Sequence, residues 1–179
     1  PKPRKIQFER YTEGLSQFKK IDNPIKLSAN ESALGPSPRA IEAFEREKNK
    51  IFKYPESDSS LLRDVISKKF NIDSERIICG AGSDQIFDLI CQLFIEPGDE
   101  VVVTEYGFIM YRIYASLYRA KVLLAKEKNF KASVDEIINK VTDKTKIVFI
   151  ANPNNPTGTY LSKKEMFNLR QRLRSDILL

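Results

Sequence analysis

A three-layer α/β/α fold, with a mostly parallel sheet covered by helices on both faces, is predicted by three features of the sequence. The apolar runs Val101-Val102-Val103, Val122-Leu123-Leu124 and Ile147-Val148-Phe149-Ile150 carry no polar alternation, which is the pattern of strands buried on both sides. From Arg76 onward such runs alternate with helical patterns at short spacing, as connections between parallel strands require. Serine-led capping boxes, Ser133-Val134-Asp135-Glu136 and Ser162-Lys163-Lys164-Glu165, mark where helices begin.

The elements follow in order. Residues 1–30 read as an irregular polar arm. Leu34-Gly35-Pro36-Ser37-Pro38 is a turn, in which Ser37 can cap a helix that Pro38 opens at its first position, over about 39–48. After the loop Lys53-Tyr54-Pro55-Glu56-Ser57-Asp58, Ser59 or Ser60 caps a helix with Leu61, Leu62, Val65, Ile66 and Phe70 on one face. Ile77-Ile78-Cys79 reads as a short strand, and Gly80-Ala81-Gly82-Ser83-Asp84 as a turn. A helix with Ile86, Leu89, Ile90, Leu93 and Phe94 on its apolar face comes next and stops at Glu96-Pro97-Gly98-Asp99. Then come the Val101–Val103 strand, a helix over about 109–118, the Val122–Leu124 strand, a helix from Ser133 through Val141, the Ile147–Ile150 strand, and a helix from Ser162 to about Leu173. Asp176-Ile177-Leu178-Leu179 looks like the start of one more strand, so the sequence reads as a truncated chain.

Composition narrows the function. At 179 residues, 41% hydrophobic and 30% charged, the chain can bury a real core and is neither disordered nor membrane-spanning by pattern; a transmembrane helix needs about 20 consecutive apolar residues. The basic stretch from Pro1 to Arg10 has no apolar segment after it and is no secretory signal. The net charge of +6 is spread along the chain, without the aromatic-studded basic stripe of a nucleic-acid binder, and it favours anionic small molecules such as phosphate esters. Cys79 and Cys91 read as reduced core residues of a cytosolic protein. The chain contains 0 histidines. That excludes a Ser-His-Asp triad, a Cys-His pair and any His-based metal site within these residues, and leaves proton transfer to Lys, Tyr, Asp or Glu.

Three places along the predicted sheet edge suggest a ligand. Asn152-Pro153-Asn154-Asn155-Pro156-Thr157-Gly158 follows a buried strand directly. Its X-Pro bonds have a small trans preference, so a cis bond can form there, and its amides lie where open α/β sheets bind ligands. The small residues of Gly80–Asp84 let backbone N–H groups approach a phosphate at a helix N-terminus. A dinucleotide site is a decoy at this turn: Glu105 lies where a ribose-binding acid belongs, but Gln85 replaces the third glycine. Tyr106-Gly107-Phe108-Ile109-Met110-Tyr111 brings an aromatic ring to the same edge. A phosphate cradle, a flat ring and an amide donor together suit a planar, phosphorylated, aromatic cofactor.

Taken in order, Ser28-Ala29-Asn30-Glu31 with Leu34-Gly35-Pro36-Ser37-Pro38, Tyr54-Pro55, Gly80-Ala81-Gly82-Ser83-Asp84-Gln85, Phe108 with Met110-Tyr111, and Asn152–Gly158 resemble the N-terminal half of a fold-type-I pyridoxal-phosphate aminotransferase. The Asn-Pro-Asn-Asn-Pro-Thr-Gly stretch marks that superfamily. Asn30-Glu31-Ser32-Ala33-Leu34-Gly35-Pro36-Ser37-Pro38 narrows the resemblance to the histidinol-phosphate aminotransferase family.

The resemblance implies an N-terminal arm and part of a small domain over 1–55, and over 56–179 the N-terminal part of a large domain that binds pyridoxal 5'-phosphate. It implies that Gly82, Ser83 and Asp84 hold the cofactor phosphate, that Phe108 stacks on the pyridine ring, and that Asn155 hydrogen-bonds the phenolic oxygen. Tyr54 would reach across a homodimer interface to the phosphate in the partner subunit's site, and Asn30 and Glu31 would line the substrate side. The implied reaction is amino transfer between histidinol phosphate and 2-oxoglutarate in cytoplasmic histidine biosynthesis, with no nucleic acid, membrane or metal involved. Aromatic amino acid transaminases and the decarboxylase of threonine phosphate share much of the pattern and are alternative readings. The family's Schiff-base lysine, its pyridinium-pairing aspartate and its carboxylate-binding arginine are expected beyond Leu179, so no catalytic residue is assigned here and the chain alone is expected to be inactive.

Overall fold

The computed structural model describes Ile6, Tyr11, Thr12 and residues 25–179. Most of the predicted polar arm lies outside the described residues. The chain divides into compact units whose boundary falls between Cys79 and Gly80.

In the unit of residues 12–79, α1 spans Pro38–Glu47 and α2 spans Ser60–Phe70, followed by single 3₁₀ turns at Lys48–Lys50 and Ser74–Arg76 respectively. Pro38 opens α1 as expected, but the Ser37 hydroxyl makes no capping bond. Nor does Ser59 cap α2. Its backbone is left-handed (φ 54°), far from the extended geometry an N-cap needs. Glu56 takes the role instead, its Oε2 accepting from Ser60 Oγ at 2.7 Å and from the Leu61 N–H at 3.5 Å. Arg63 pins α2 to the following turn, its guanidinium donating to the Ser74 carbonyl (2.8 and 3.0 Å) and to Glu75 (2.8 Å).

The unit of residues 80–179 holds the sheet. In chain order it comprises α3 (Gly82–Phe94), β1 (Glu100–Thr104), α4 (Ile109–Leu117), β2 (Lys121–Ala125), β3 (Glu127–Lys128), β4 (Lys131–Ala132), α5 (Val134–Lys140), β5 (Thr145–Phe149) and α6 (Lys163–Arg172). The strands β2, β1 and β5 lie side by side in that order, all parallel. Val102 pairs with Leu123 on one side and Val148 on the other. Leu178 adds a parallel bridge to Ile147 on the free side of β5, so the predicted strand start at 176–179 is present.

The strand expected at Ile77–Cys79 does not form. Ile77 is extended, but no ladder partner lies beside it among the described residues, and Ile78 is exposed. An apolar, β-branched run reports extended preference; only a neighbouring strand makes it a strand. The short antiparallel β3–β4 hairpin was not visible in the pattern, because Lys126-Glu127-Lys128 reads as solvated charge.

Alternation along the central strand builds the layers. Val102 points into a cluster with Val148, Ile137, Leu169, Leu173 and Ile177, beneath α5 and α6. Val101 and Val103 point the other way, to Cys91, Tyr111, Ala115, Ile147 and Phe149, beneath α3 and α4. Both faces of β1 are therefore fully buried, and each such valine contributes about 1.5–3 kcal/mol by leaving water. Of the apolar stripe predicted for α3, only Ile90 joins the cluster on the sheet, where it packs with Phe87 and Cys91, which the stripe did not include; Ile86 and Leu89 are half-buried, and Leu93 and Phe94 are exposed.

The helix caps explain the boundaries. At α6 the box is complete, with Ser162 N–H donating to Glu165 Oε2 (2.6 Å) and Glu165 N–H to Ser162 Oγ (3.3 Å). These bonds, with Lys131 beside it, hold the Glu165 carboxyl down at about 2. At α5, Ser133 Oγ accepts the Glu136 N–H (3.5 Å) while the Glu136 carboxylate turns towards Lys128 (3.9 Å). Cys91 is fully buried, and burial, with the Asp88 charge second, pushes its thiol up to about 12. It is inert core, as read from the sequence. Cys79 is also free, but half-buried and on no strand.

Candidate functional site

The turn at Gly80–Asp84 is built from backbone requirements. The Gly82 N–H donates to the Gly80 carbonyl at 2.8 Å, which tightens the chain just before α3. Gly82 sits at φ +79° with open space where a Cβ would go; conformation, not crowding, calls for glycine there. Ala81 occupies the N-cap and has no side-chain cap to offer. Gln85 Oε1 takes the Ala81 N–H at 2.6 Å, one residue before the helix. With the Gly82 N–H spent on Gly80, the Ser83 and Asp84 N–H groups of the first turn of α3 are left without a capping side chain, at the positive end of the helix dipole. Gly82 and Ser83 are exposed and Asp84 is half-buried. A phosphate fits that donor set.

Phe108 is placed by the turn that ends β1. The Gly107 N–H donates to the Thr104 carbonyl at 3.1 Å. A Cβ at Gly107 would lie 2.6 Å from Thr104 Oγ1, so here glycine is required by space. Phe108 then stands at the N-cap of α4 with extended backbone, half-buried. Its ring meets Tyr111 edge-on at 5.8 Å. Tyr111 stacks on Phe149 at the end of β5 (4.9 Å, 5° between planes), and Phe87 of α3 meets both rings edge-on, at 4.9 and 5.8 Å. One aromatic cluster therefore joins the phosphate-type turn, the Phe108 turn and the strand that carries the Asn-Pro loop. Such pairs add about 0.5–1.5 kcal/mol each beyond burial and fix the three elements relative to one another.

In the Asn-Pro loop both Asn152-Pro153 and Asn155-Pro156 are cis. The three asparagines have different tasks. Asn152 clamps the loop's exit, its Nδ2 donating to the Leu161 carbonyl (3.0 Å) and its Oδ1 accepting the Leu161 N–H (2.8 Å). Asn154 is buried. Its main chain pairs with Thr159 (2.7 Å) and Gly158 (2.8 Å), and its Nδ2 donates to Thr157 Oγ1 (3.0 Å). Asn155 is half-buried, and its side-chain amide has no hydrogen-bond partner among the described residues. Sequence reasoning grouped the amides of Asn154 and Asn155; the fold spends the first on the loop itself and leaves the second free to meet a ligand.

Asn30, Glu31 and Tyr54 belong to the unit of residues 12–79. Glu31 is exposed and pairs with Lys26 at 3.0 Å. Its N–H donates to the Ala29 carbonyl at 2.9 Å, which bends this segment into a turn. Tyr54 is fully exposed, and Asn30 is exposed as well. Among the described residues no group of His, Cys, Asp and Glu side chains could hold a metal ion, and no helix is long and apolar enough to cross a membrane.

Uncapped donors at a helix start, a ring and a free amide thus lie on loops that follow or precede elements joined by one aromatic cluster. The family model described as aminotransferase class I and II matches residues 22–179. This chain belongs to the class I and II aminotransferases. Over its whole length it is 59% identical to the histidinol-phosphate aminotransferase of Pelagibacter ubique (strain HTCC1062), covering 50% of that protein. It is 44% identical to that of Paramagnetospirillum magneticum (strain ATCC 700264 / AMB-1), covering 49%. The chain thus spans about half the length of the curated aminotransferases it matches. Among solved structures, histidinol-phosphate aminotransferase from Sinorhizobium meliloti in complex with pyridoxal-5'-phosphate superposes with a TM-score of 0.81. That match covers 84% of this chain and 41% of the other at 22% identity, which establishes the shared fold-type-I aminotransferase architecture.

Sequence reasoning missed Glu127, whose carboxylate touches two of the loops at this edge, and Gly107, whose lack of a side chain sets the approach of the Phe108 turn. A charged residue between lysines and an isolated glycine give no local signal of either role.

Proposed function

We propose that the protein carrying this chain is a pyridoxal-phosphate-dependent aminotransferase that exchanges the amino group between histidinol phosphate and 2-oxoglutarate in histidine biosynthesis. The observation that carries the reading is the 59% identity, over every residue of this chain, to a curated histidinol-phosphate aminotransferase. When bound, the cofactor supplies an electron sink for the charge left when a substrate carbon loses its proton.

The residues described above fit that group. The uncapped N–H donors at Ser83 and Asp84 would hold its phosphate, at a turn that the Gly82 backbone shapes. The Phe108 ring would cover one face of the pyridine, and the free Asn155 amide would donate to the phenolic oxygen, lowering that oxygen's proton affinity. Tyr54, fully exposed on its own unit, would complete the phosphate site of the partner subunit in a homodimer, and Asn30 and Glu31 would line the substrate side. Residues 1–55 would form the arm and part of a small domain, and 56–179 would belong to the cofactor-binding domain of a cytoplasmic enzyme.

The test is a substrate panel on the full-length protein with 2-oxoglutarate as acceptor. Glutamate formation from histidinol phosphate, far above that from aromatic amino acids, is expected. Transfer from phenylalanine or tyrosine with none from histidinol phosphate would overturn the substrate assignment.

A further inference from the structure

We propose that Glu127 is a positioning residue that locks the Phe108 turn to the Asn155 loop; the inference rests on the cofactor-binding reading above. Glu127 begins the β3–β4 hairpin directly after β2. Its backbone is anchored at the carboxyl edge of the sheet, where the Glu127 N–H donates to Glu105 Oε2 (3.4 Å) and the Glu105 N–H donates to the Ala125 carbonyl (2.9 Å). From there a single carboxylate oxygen, Oε1, accepts two bonds. One comes from the Tyr106 N–H at 3.2 Å, the other from Asn154 Nδ2 at 3.4 Å. Tyr106 stands two residues before Phe108, and Asn154 immediately precedes Asn155.

The second oxygen, Oε2, is buried and has no hydrogen-bond donor among the described residues. Leaving a carboxylate oxygen in that state costs stability, so packing alone does not account for glutamate here. What glutamate does supply is one fixed acceptor shared by the loop after β1 and the loop after β5. The hairpin reinforces the same link at its tip, where Thr159 Oγ1 donates to the Phe130 carbonyl (2.7 Å) and the Tyr106 and Phe130 rings meet at 5.3 Å. Glu127 touches neither ring nor phosphate; it sets the separation between the group that stacks and the group that donates.

Losing the shared acceptor lowers the fraction of molecules with both loops in place, and apparent cofactor affinity falls with that fraction. The experiment titrates full-length wild type, Glu127→Ala, Glu127→Gln and Asn155→Ala with pyridoxal 5'-phosphate and records the pH at which the bound cofactor's visible band shifts. Glu127→Ala is expected to bind roughly tenfold more weakly, the scale of the net contribution of one hydrogen bond. Its band should move in the same direction as in Asn155→Ala. Glu127→Gln keeps an oxygen for both donors and is expected within about twofold of wild type. If Glu127→Ala does not accumulate as folded protein, Glu127→Asp, whose carboxylate is too short to reach both donors, carries the same expectation. Wild-type affinity and band position in Glu127→Ala, or a lowered melting temperature with an unmoved band, would overturn the positioning role while Asn155→Ala still shifts. If Asn155→Ala leaves the band in place, the cofactor reading falls and the inference falls with it.

Discussion

Replacing Gly107 with alanine tests whether the approach of the Phe108 turn to the sheet is set by contact. The added Cβ would lie 2.6 Å from Thr104 Oγ1 and 3.3 Å from the Thr104 carbonyl oxygen. Thr104 is buried at the end of β1, so its short branched side chain cannot swing into solvent, and the carbonyl is held by the turn bond to the Gly107 N–H. Gly107 is not among the residues with positive φ, so the penalty is steric, about 1–3 kcal/mol by the measure of overpacked sites. Thr104→Ala removes the 2.6 Å contact and leaves the 3.3 Å contact with the carbonyl and one of 3.8 Å with Cβ. Denaturant melts of the full-length wild type, both single variants and the double variant form a thermodynamic cycle. The double variant is expected to recover about 1 kcal/mol or more relative to the sum of the single changes. Effects that add to within about 0.5 kcal/mol, or a Gly107→Ala protein as stable as wild type, would refute the argument from contact.

Two further outcomes concern the sheet that carries the site. Leu169→Ala empties a fully buried position in the cluster beneath α6 and is expected to cost about 2–5 kcal/mol in a denaturant melt, with cofactor affinity unchanged; a loss below about 1 kcal/mol would mean that α6 does not seal that face. Glu100 is buried, and the Thr142 hydroxyl first, then Lys121 at 3.1 Å, hold its carboxyl below the ordinary value of 4.5. A depressed folded-state value adds stability that is complete above the unfolded value and lost as pH falls through the folded one. The stability gap between wild type and Glu100→Gln is therefore expected to narrow as melts are taken from pH 7 to below about 4.5; a gap that widens on acidification would reverse the assignment.

Whatever rests on near neighbours in the chain was legible in the residues themselves. Strands β1 and β5 were readable because their uninterrupted valines and isoleucines suit positions covered on both faces; the Val122–Leu124 run also forms its strand, β2, but Leu124 there is exposed. The starts of α5 and α6 were readable because a serine hydroxyl accepts the N–H of the glutamate three residues on, and at α6 that glutamate also accepts the serine N–H. The phosphate-type turn could be read because glycine is the residue that takes the backbone conformation at Gly82. Whatever depends on partners distant in the chain emerged only on folding. Ile77–Cys79 has the composition of a strand but no ladder beside it. Only packing separates the half of α3 that meets the sheet from exposed Leu93 and Phe94. Asn154 and Asn155 are the same residue type side by side, and a buried location with partners at Glu127 and Thr157 makes one a brace and leaves the other free. Glu127 itself looks like surface charge until β2 delivers it to the edge where two loops need a common acceptor. Conformational preference and capping act within a few residues, whereas burial, hydrogen-bond partnership and steric contact exist only once distant segments have been brought together.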